Sequence, residues 1–205
     1  MSITLSVIKD RLERRLKDIH DIDDPLLYDM ATDLNQLLYR ELFTQDPERF
    51  IQTQSYTVGT SPSTQALPVG FRDIQEFGTG FFIVDSAGNV TKQKLLMTSY
   101  GSTTPGFYIN GTNVVFTGIG TSTNVVLRYI PVLSDITALS GTFCVPDEFK
   151  DLVLEGMVLA YYKNEEDPRE ATSDARFARL LGQFLTTVKK SPKVYGMTLP
   201  SNAGT

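Results

Sequence analysis

The sequence predicts an α+β protein: a four-helix bundle formed by N- and C-terminal helical hairpins, with an inserted antiparallel β domain, barrel or sandwich. Three observations predict it. Apolar residues recur at spacings of three and four near both ends of the chain. Between Gln52 and Val145 only eight charged residues occur in 94, against 35 in the other 111, and eleven of the 15 glycines fall there. That same stretch is rich in Thr, Val, Phe and Tyr and is broken by turn signals, as strands and hairpins are. The expected divisions are 1–51 and 146–190 for the bundle, 52–145 for the β domain and 191–205 for a C-terminal tail.

From Ser2 to His20 the pattern is helical, with a narrow stripe of Ile8, Leu12, Leu16 and Ile19. Asp10 with Arg14 and Glu13 with Lys17 are acid-first pairs at i,i+4. Because acids alternate with Arg11, Arg14, Arg15 and Lys17, this face reads as one laced with ion pairs rather than a nucleic-acid patch. Asp24-Pro25 supplies a cap and a first-position proline, and Leu27, Met30, Ala31, Leu34, Leu38 and Leu42 carry a second helix to about Phe43. The loop between them is short, which predicts a hairpin. Asp21, Asp23 and Asp24 lack the glycine and final glutamate of a calcium loop, so they read as a helix start.

Strands are expected near Phe50 to Thr57, Gly80 to Val84, Val90 to Met97 and Val125 to Ile130. Asn110-Gly111, between Phe107-Tyr108-Ile109 and Val114-Val115-Phe116, predicts a tight hairpin. Gly78-Thr-Gly80 and Gly118-Ile-Gly120 lack the rest of a phosphate loop and read as turns or bulges.

Pro146, Asp147 and Glu148 then suit a helix start, the proline at its first position and the acids beside the positive end of the dipole. Its stripe is Phe149, Leu152, Val153, Met157, Ala160 and Tyr161. After the loop Lys163 to Glu166, Asp167-Pro168-Arg169-Glu170 opens a last helix with the stripe Phe177, Leu180, Leu181, Phe184, Leu185 and Val188. Lys189 and Lys190 suit a helix C-terminus, and the last dozen residues show no period.

Composition narrows the chemistry. Cys144 is the single cysteine, which forbids an internal disulfide and a cysteine-rich zinc site and points to a reducing compartment. No apolar run reaches the length of a membrane span, so a soluble, cytoplasmically made chain without membrane contact is expected. The formal charge of -5 argues against gripping DNA through its phosphates. His20 is the single histidine, leaving little room for a Ser-His-Asp or Cys-His hydrolase, and no nucleotide, P-loop or zinc-protease motif occurs. The expectation is no enzyme, no metal and no cofactor. Tyr56, Tyr100, Phe107, Tyr108 and Phe116 could stack sugars or bases, although aromatics on strands more often form core or subunit contacts.

Taken in order, the helix pair, Ala66-Leu67-Pro68 with Phe71, the hairpin Phe107-Tyr108-Ile109-Asn110-Gly111, the strand end Leu127-Arg128-Tyr129 and the helix opening Val145-Pro146-Asp147-Glu148-Phe149 resemble the head-to-tail adaptor (connector) proteins of tailed bacteriophages. The chain is especially similar to adaptors with a β insertion, including the tail tubular protein A class. That resemblance implies a virion component at the head-tail interface, a ring of typically twelve copies beneath the portal, around a channel through which DNA passes without sequence-specific binding. It implies the portal protein and a downstream tail protein (nozzle, terminator or tail tube) as partners. It also implies portal docking by the C-terminal segment, with Lys189, Lys190, Lys193, Val194 and Tyr195 as its residues. The alternative reading is a tail or baseplate module whose β domain binds carbohydrate or protein.

Overall fold

The computed structural model describes residues 2–16, 22–74, 79–85, 87–120 and 122–190. In chain order the elements are β1 (Ser2–Thr4), α1 (Leu5–Leu16), α2 (Asp24–Gln45), β2 (Gln52–Val58), β3 (Ser63–Ala66), β4 (Phe71–Asp73), β5 (Gly80–Val84) and β6 (Val90–Lys94). They continue with β7 (Leu96–Met97), β8 (Gly106–Asn110), β9 (Asn113–Thr117), β10 (Thr123–Pro131), β11 (Thr142–Pro146), α3 (Lys150–Asn164) and α4 (Glu170–Lys190). The chain divides into two compact units, Met1–Arg49 with Leu133–Thr205, and Phe50–Val132.

The first unit corrects the predicted four-helix bundle. Its N-terminal region is not a helical hairpin: α1 and α2 have α3 as their main helical neighbour, and α4 lies against α3 as well. The reason is the composition of α3. Leu152, Val153, Gly156, Met157, Val158, Leu159 and Tyr162 are buried on every side of its axis, so it has no polar face to turn to water. A helix apolar all round is a core helix and has to be covered from several directions. The single stripe expected from Phe149 to Tyr161 was too narrow; Phe149, Ala160 and Tyr161 are its half-exposed edge.

Strands also enter this unit. β1 pairs antiparallel with β11, Ser2 opposite Pro146 and Thr4 opposite Thr142, so the helix expected from Ser2 begins only at Leu5. Ile3 is buried there, along with Phe143, Cys144 and Val145. Three residues on α2 hold the returning chain. Thr32 Oγ1 accepts the Ile136 amide at 3.0 Å, Gln36 donates to Asp135 at 3.1 Å, and Asn35 Oδ1 accepts the Cys144 amide at 2.8 Å. Their spacing of three and four sets them on one face of α2. Pro146 is the last residue of β11, in extended conformation, and a 3-10 turn over Asp147–Phe149 precedes α3; it is therefore not the first helical residue. α2 starts at Asp24, one residue before the predicted first position at Pro25; Asp23 stands at the cap position without a side-chain cap hydrogen bond, and Asp24 accepts the Lys9 ammonium at 3.0 Å. Asp167 does cap α4, its Oδ1 taking the Arg169 amide at 2.8 Å.

The second unit consists of two sheets. One runs β2-β10-β5-β6 with β4 also on β10; the other runs β3-β9-β8-β7. All pairings are antiparallel except β7 with β8. Phe81 on the first sheet meets Phe107 and Phe116 on the second, with ring centroids at 4.4 and 5.3 Å, and Tyr56 at 6.1 Å. This aromatic knot, with Val58, Val114, Val125 and Leu127, is the core between the sheets. The β8–β9 hairpin turns on Gly111 (φ 60) and Thr112, with Asn110 opposite Asn113. One left-handed residue at the first central position marks a II′-type turn, one residue later than the Asn110-Gly111 turn expected.

Candidate functional site

Part of the charged face of α1 is used within the first unit. Arg11 reaches Asp151 at 3.8 Å and Arg15 pairs with Glu155, both on α3. The Glu155 side chain is 4% exposed, and its second oxygen accepts Ser173 Oγ of α4 at 3.0 Å. One carboxylate thus joins α1, α3 and α4. Sequence reasoning missed it, although a lone acid between Leu152 and Tyr162 was a visible signal, since a charge is buried only with partners. Arg14 is exposed; Lys17 and His20 lie outside the described residues.

Among the described residues the remaining titratable groups offer no reactive constellation. Among the described residues no group of three or more His, Cys, Asp or Glu side chains could hold a metal ion. Burial pushes the Cys144 thiol up to about 12, so it stays protonated at neutral pH. Burial also pushes Tyr56 up to about 12, with Tyr129 adding to the effect, and its hydroxyl donates to the Ala66 carbonyl at 3.2 Å. Asp167 is held at about 2 by the Arg169 guanidinium and backbone, whose cation also lies 4.7 Å over the Tyr162 ring. Glu165 and Glu166 are exposed in the α3–α4 loop. No described helix is long and apolar enough to cross a membrane.

What the surface does offer is apolar. In the second unit Leu96 (72% exposed), Met97 (68%) and Tyr100 (86%) cluster at the β7 end of a sheet, and Tyr100 meets Tyr108 edge-on at 5.8 Å. Of the five aromatics considered for stacking, Tyr56, Phe107 and Phe116 are core, Tyr108 is half-buried and only Tyr100 is open. Among the described residues β7 pairs only with β8, at the end of its sheet.

The first unit carries a groove of about 880 Å³ between the start of α3 and the later turns of α4. Phe149, Leu152, Leu180 and Phe184 line it, with Glu148 and Asp151 at its rim. Phe149 and Phe184 meet there at 4.4 Å. A second groove, of about 570 Å³, runs between α2 and α3 over Leu34 and Leu159. Of the residues expected to dock a partner, Lys189 is exposed in the last turn of α4 and Lys190 ends that helix. Lys193, Val194 and Tyr195 lie outside the described residues.

A family model described as "SU10 adaptor protein" matches residues 3–196. No curated protein matches the chain.

Proposed function

We propose that this chain, which belongs to the SU10 adaptor protein family, is a structural bacteriophage adaptor that assembles as a ring beneath the portal, extends the DNA channel and gives the tail its attachment platform. The observation that carries this reading is the family match over nearly the whole chain, helices and β unit alike. Two physical features support it. An exposed Leu96-Met97-Tyr100 cluster on an otherwise weakly charged unit is the composition of a protein contact. The acidic balance, 11 acids against 7 bases before Gln52, lets DNA slide past without counterion release.

Identical subunits that contact head to tail close into a ring when their rotation closes, and twelve copies are expected here. The partners are the portal protein on one side and a nozzle, terminator or tail-tube protein on the other. Lys189, Lys190, Lys193, Val194 and Tyr195 are the proposed portal-docking residues. No catalysis is assigned to the chain. Mass photometry of the protein alone and mixed with purified portal tests the proposal: a stoichiometric ring on the portal is expected, and its absence at micromolar concentrations overturns it.

The one observation that favours a binding module is the exposed Tyr100 ring, edge-on to the half-buried Tyr108. Sugar platforms combine aromatic faces with polar hydrogen-bonding groups. The adjoining exposed Leu96 and Met97 suit a protein surface better. Glycan binding abolished by Tyr100→Ala would reverse that preference.

A further inference from the structure

We propose that the groove between α2 and α3 receives α4 of a second copy of this chain, laid parallel to α2. The inference deepens the ring proposed above by naming its subunit contact, and it rests on that reading. Two complementary surfaces carry it. The groove has walls of opposite charge: Asp29 and Asp33 stand on the α2 side and Lys163 on the α3 side, with Leu34, Leu159 and Ala160 between them. α4 presents the reverse on its exposed face. Arg176 and Arg179 lie on one flank and Asp174 on the other, about 200° round the helix from Arg176. None of these charged side chains forms an ion pair among the described residues. Between the two flanks Ala171, Ala175 and Ala178 are exposed, short enough to let the helix come down close onto a neighbour.

One register satisfies all the pairings. A Cβ on Gly156 would run into Leu34, so these two residues are level, and the groove extends from them to Leu26 on α2 and to Lys163 on α3. Lys163 lies about 10 Å along α3 from Gly156, which brings it toward the start of α2, just before Asp29. A helix placed parallel to α2 then meets Lys163 with Asp174, Asp29 with Arg176 and Asp33 with Arg179. Along the axis the arginines are about 4.5 Å apart and the aspartates about 6 Å, a mismatch well within the length of an arginine side chain. Turning the helix end for end exchanges its flanks, bringing the arginines to Lys163 and Asp174 to the aspartates, so charge selects one direction. The contact is head to tail. Phe177, on the buried side of α4, lines the chain's own groove, whereas Ala175 and Ala178, on its exposed side, enter the next one. Each copy gives and receives at once, which is the heterologous contact that closes rings.

Cross-linking tests the contact directly. Asp33→Cys and Arg179→Cys, in separate full-length chains of which one carries a size tag, are mixed with a short bis-maleimide, with and without purified portal. The native Cys144 is buried and stays silent. Mixed-size dimers several-fold above the same-size ones are expected, and their absence under both conditions overturns the proposal. Charge reversal at these exposed positions gives a second reading. Arg176→Glu with Arg179→Glu is expected to lose the ring on portal seen by mass photometry, Asp29→Arg with Asp33→Arg likewise, and all four changes in one chain to regain it. A ring that persists through either pair of reversals also overturns the groove contact. Failure of the adaptor reading looks different: the unaltered protein then forms no ring on portal, and the cross-link alone decides the groove contact.

Discussion

Glu155 shows how much one side chain can decide. Its carboxylate is nearly dry and is satisfied by Arg15 and Ser173 from two other helices. Removing one partner of a buried pair strands the other charge, which costs about 3–5 kcal/mol when both are dry. Arg15 is 36% exposed, so water softens the loss, and Arg15→Ala is expected to cost about 2 kcal/mol in urea unfolding. Arg15→Met with Glu155→Leu should recover most of it. Tyr56 offers a second test. Its folded value of about 12 lies above the ordinary 10, so between those values the folded state holds a proton the unfolded chain releases. Stability is therefore intact below pH 10 and falls as pH rises toward 12. Tyr56→Phe is expected to flatten that alkaline loss in a pH series of denaturant midpoints, where an unchanged slope would refute the assignment. Nothing in the period of α3 revealed these partners, because hydrogen bonds between distant residues leave no local signature.

At the scale of elements, what was legible follows from how local each cause is. The second helix was readable at both ends, because Asp24-Pro25 and the stripe from Leu27 to Leu42 act within a few turns. β5 and the β8–β9 hairpin were readable for the same reason. β1 was not: Ser-Ile-Thr is extended only because β11 waits for it, and a helical period beginning at Leu5 masked it. The hairpin of α1 and α2 failed because a short loop predicts neighbours only when neither helix has a better apolar face to meet, and α3 supplies that face. Of the candidate site residues, the grooves could not be foreseen, since each is formed by two elements. The glycines separate structural need from vacancy. Gly118 has φ 60, and a Cβ there would run into the backbone of Thr103, Thr104 and Pro105, so Gly118→Ala is expected to cost several kcal/mol. Gly182, in mid-α4, has nothing within 4 Å, and Gly182→Ala should raise stability by about 1 kcal/mol through helix propensity alone. Thermal melts of the two variants check both signs.

For the whole molecule, the order of motifs along the chain carried the identification, and the family match bears out the adaptor resemblance that order suggested. The fold class read from the same motifs was corrected, because a family resemblance constrains succession more tightly than it constrains which helix ends up in the middle. Assembly is the property that belongs to this scale. If the exposed cluster at β7 is a subunit or tail contact, Leu96→Asp with Met97→Asp should abolish the portal-dependent ring in mass photometry while shifting the melting temperature little, since both side chains are already in water. A lowered melting temperature with assembly intact would place those residues in the fold instead.

The pairing of β1 with β11 has a consequence during synthesis. Ser2 must wait for Pro146 to leave the ribosome, whereas every strand from β2 to β10 lies in one uninterrupted stretch. At roughly 5–20 residues per second, the N-terminal helices spend several seconds or more as nascent chain with their apolar faces uncovered. The β unit is free to close first, and chaperone engagement should therefore concentrate on the earliest-made residues until translation approaches α4.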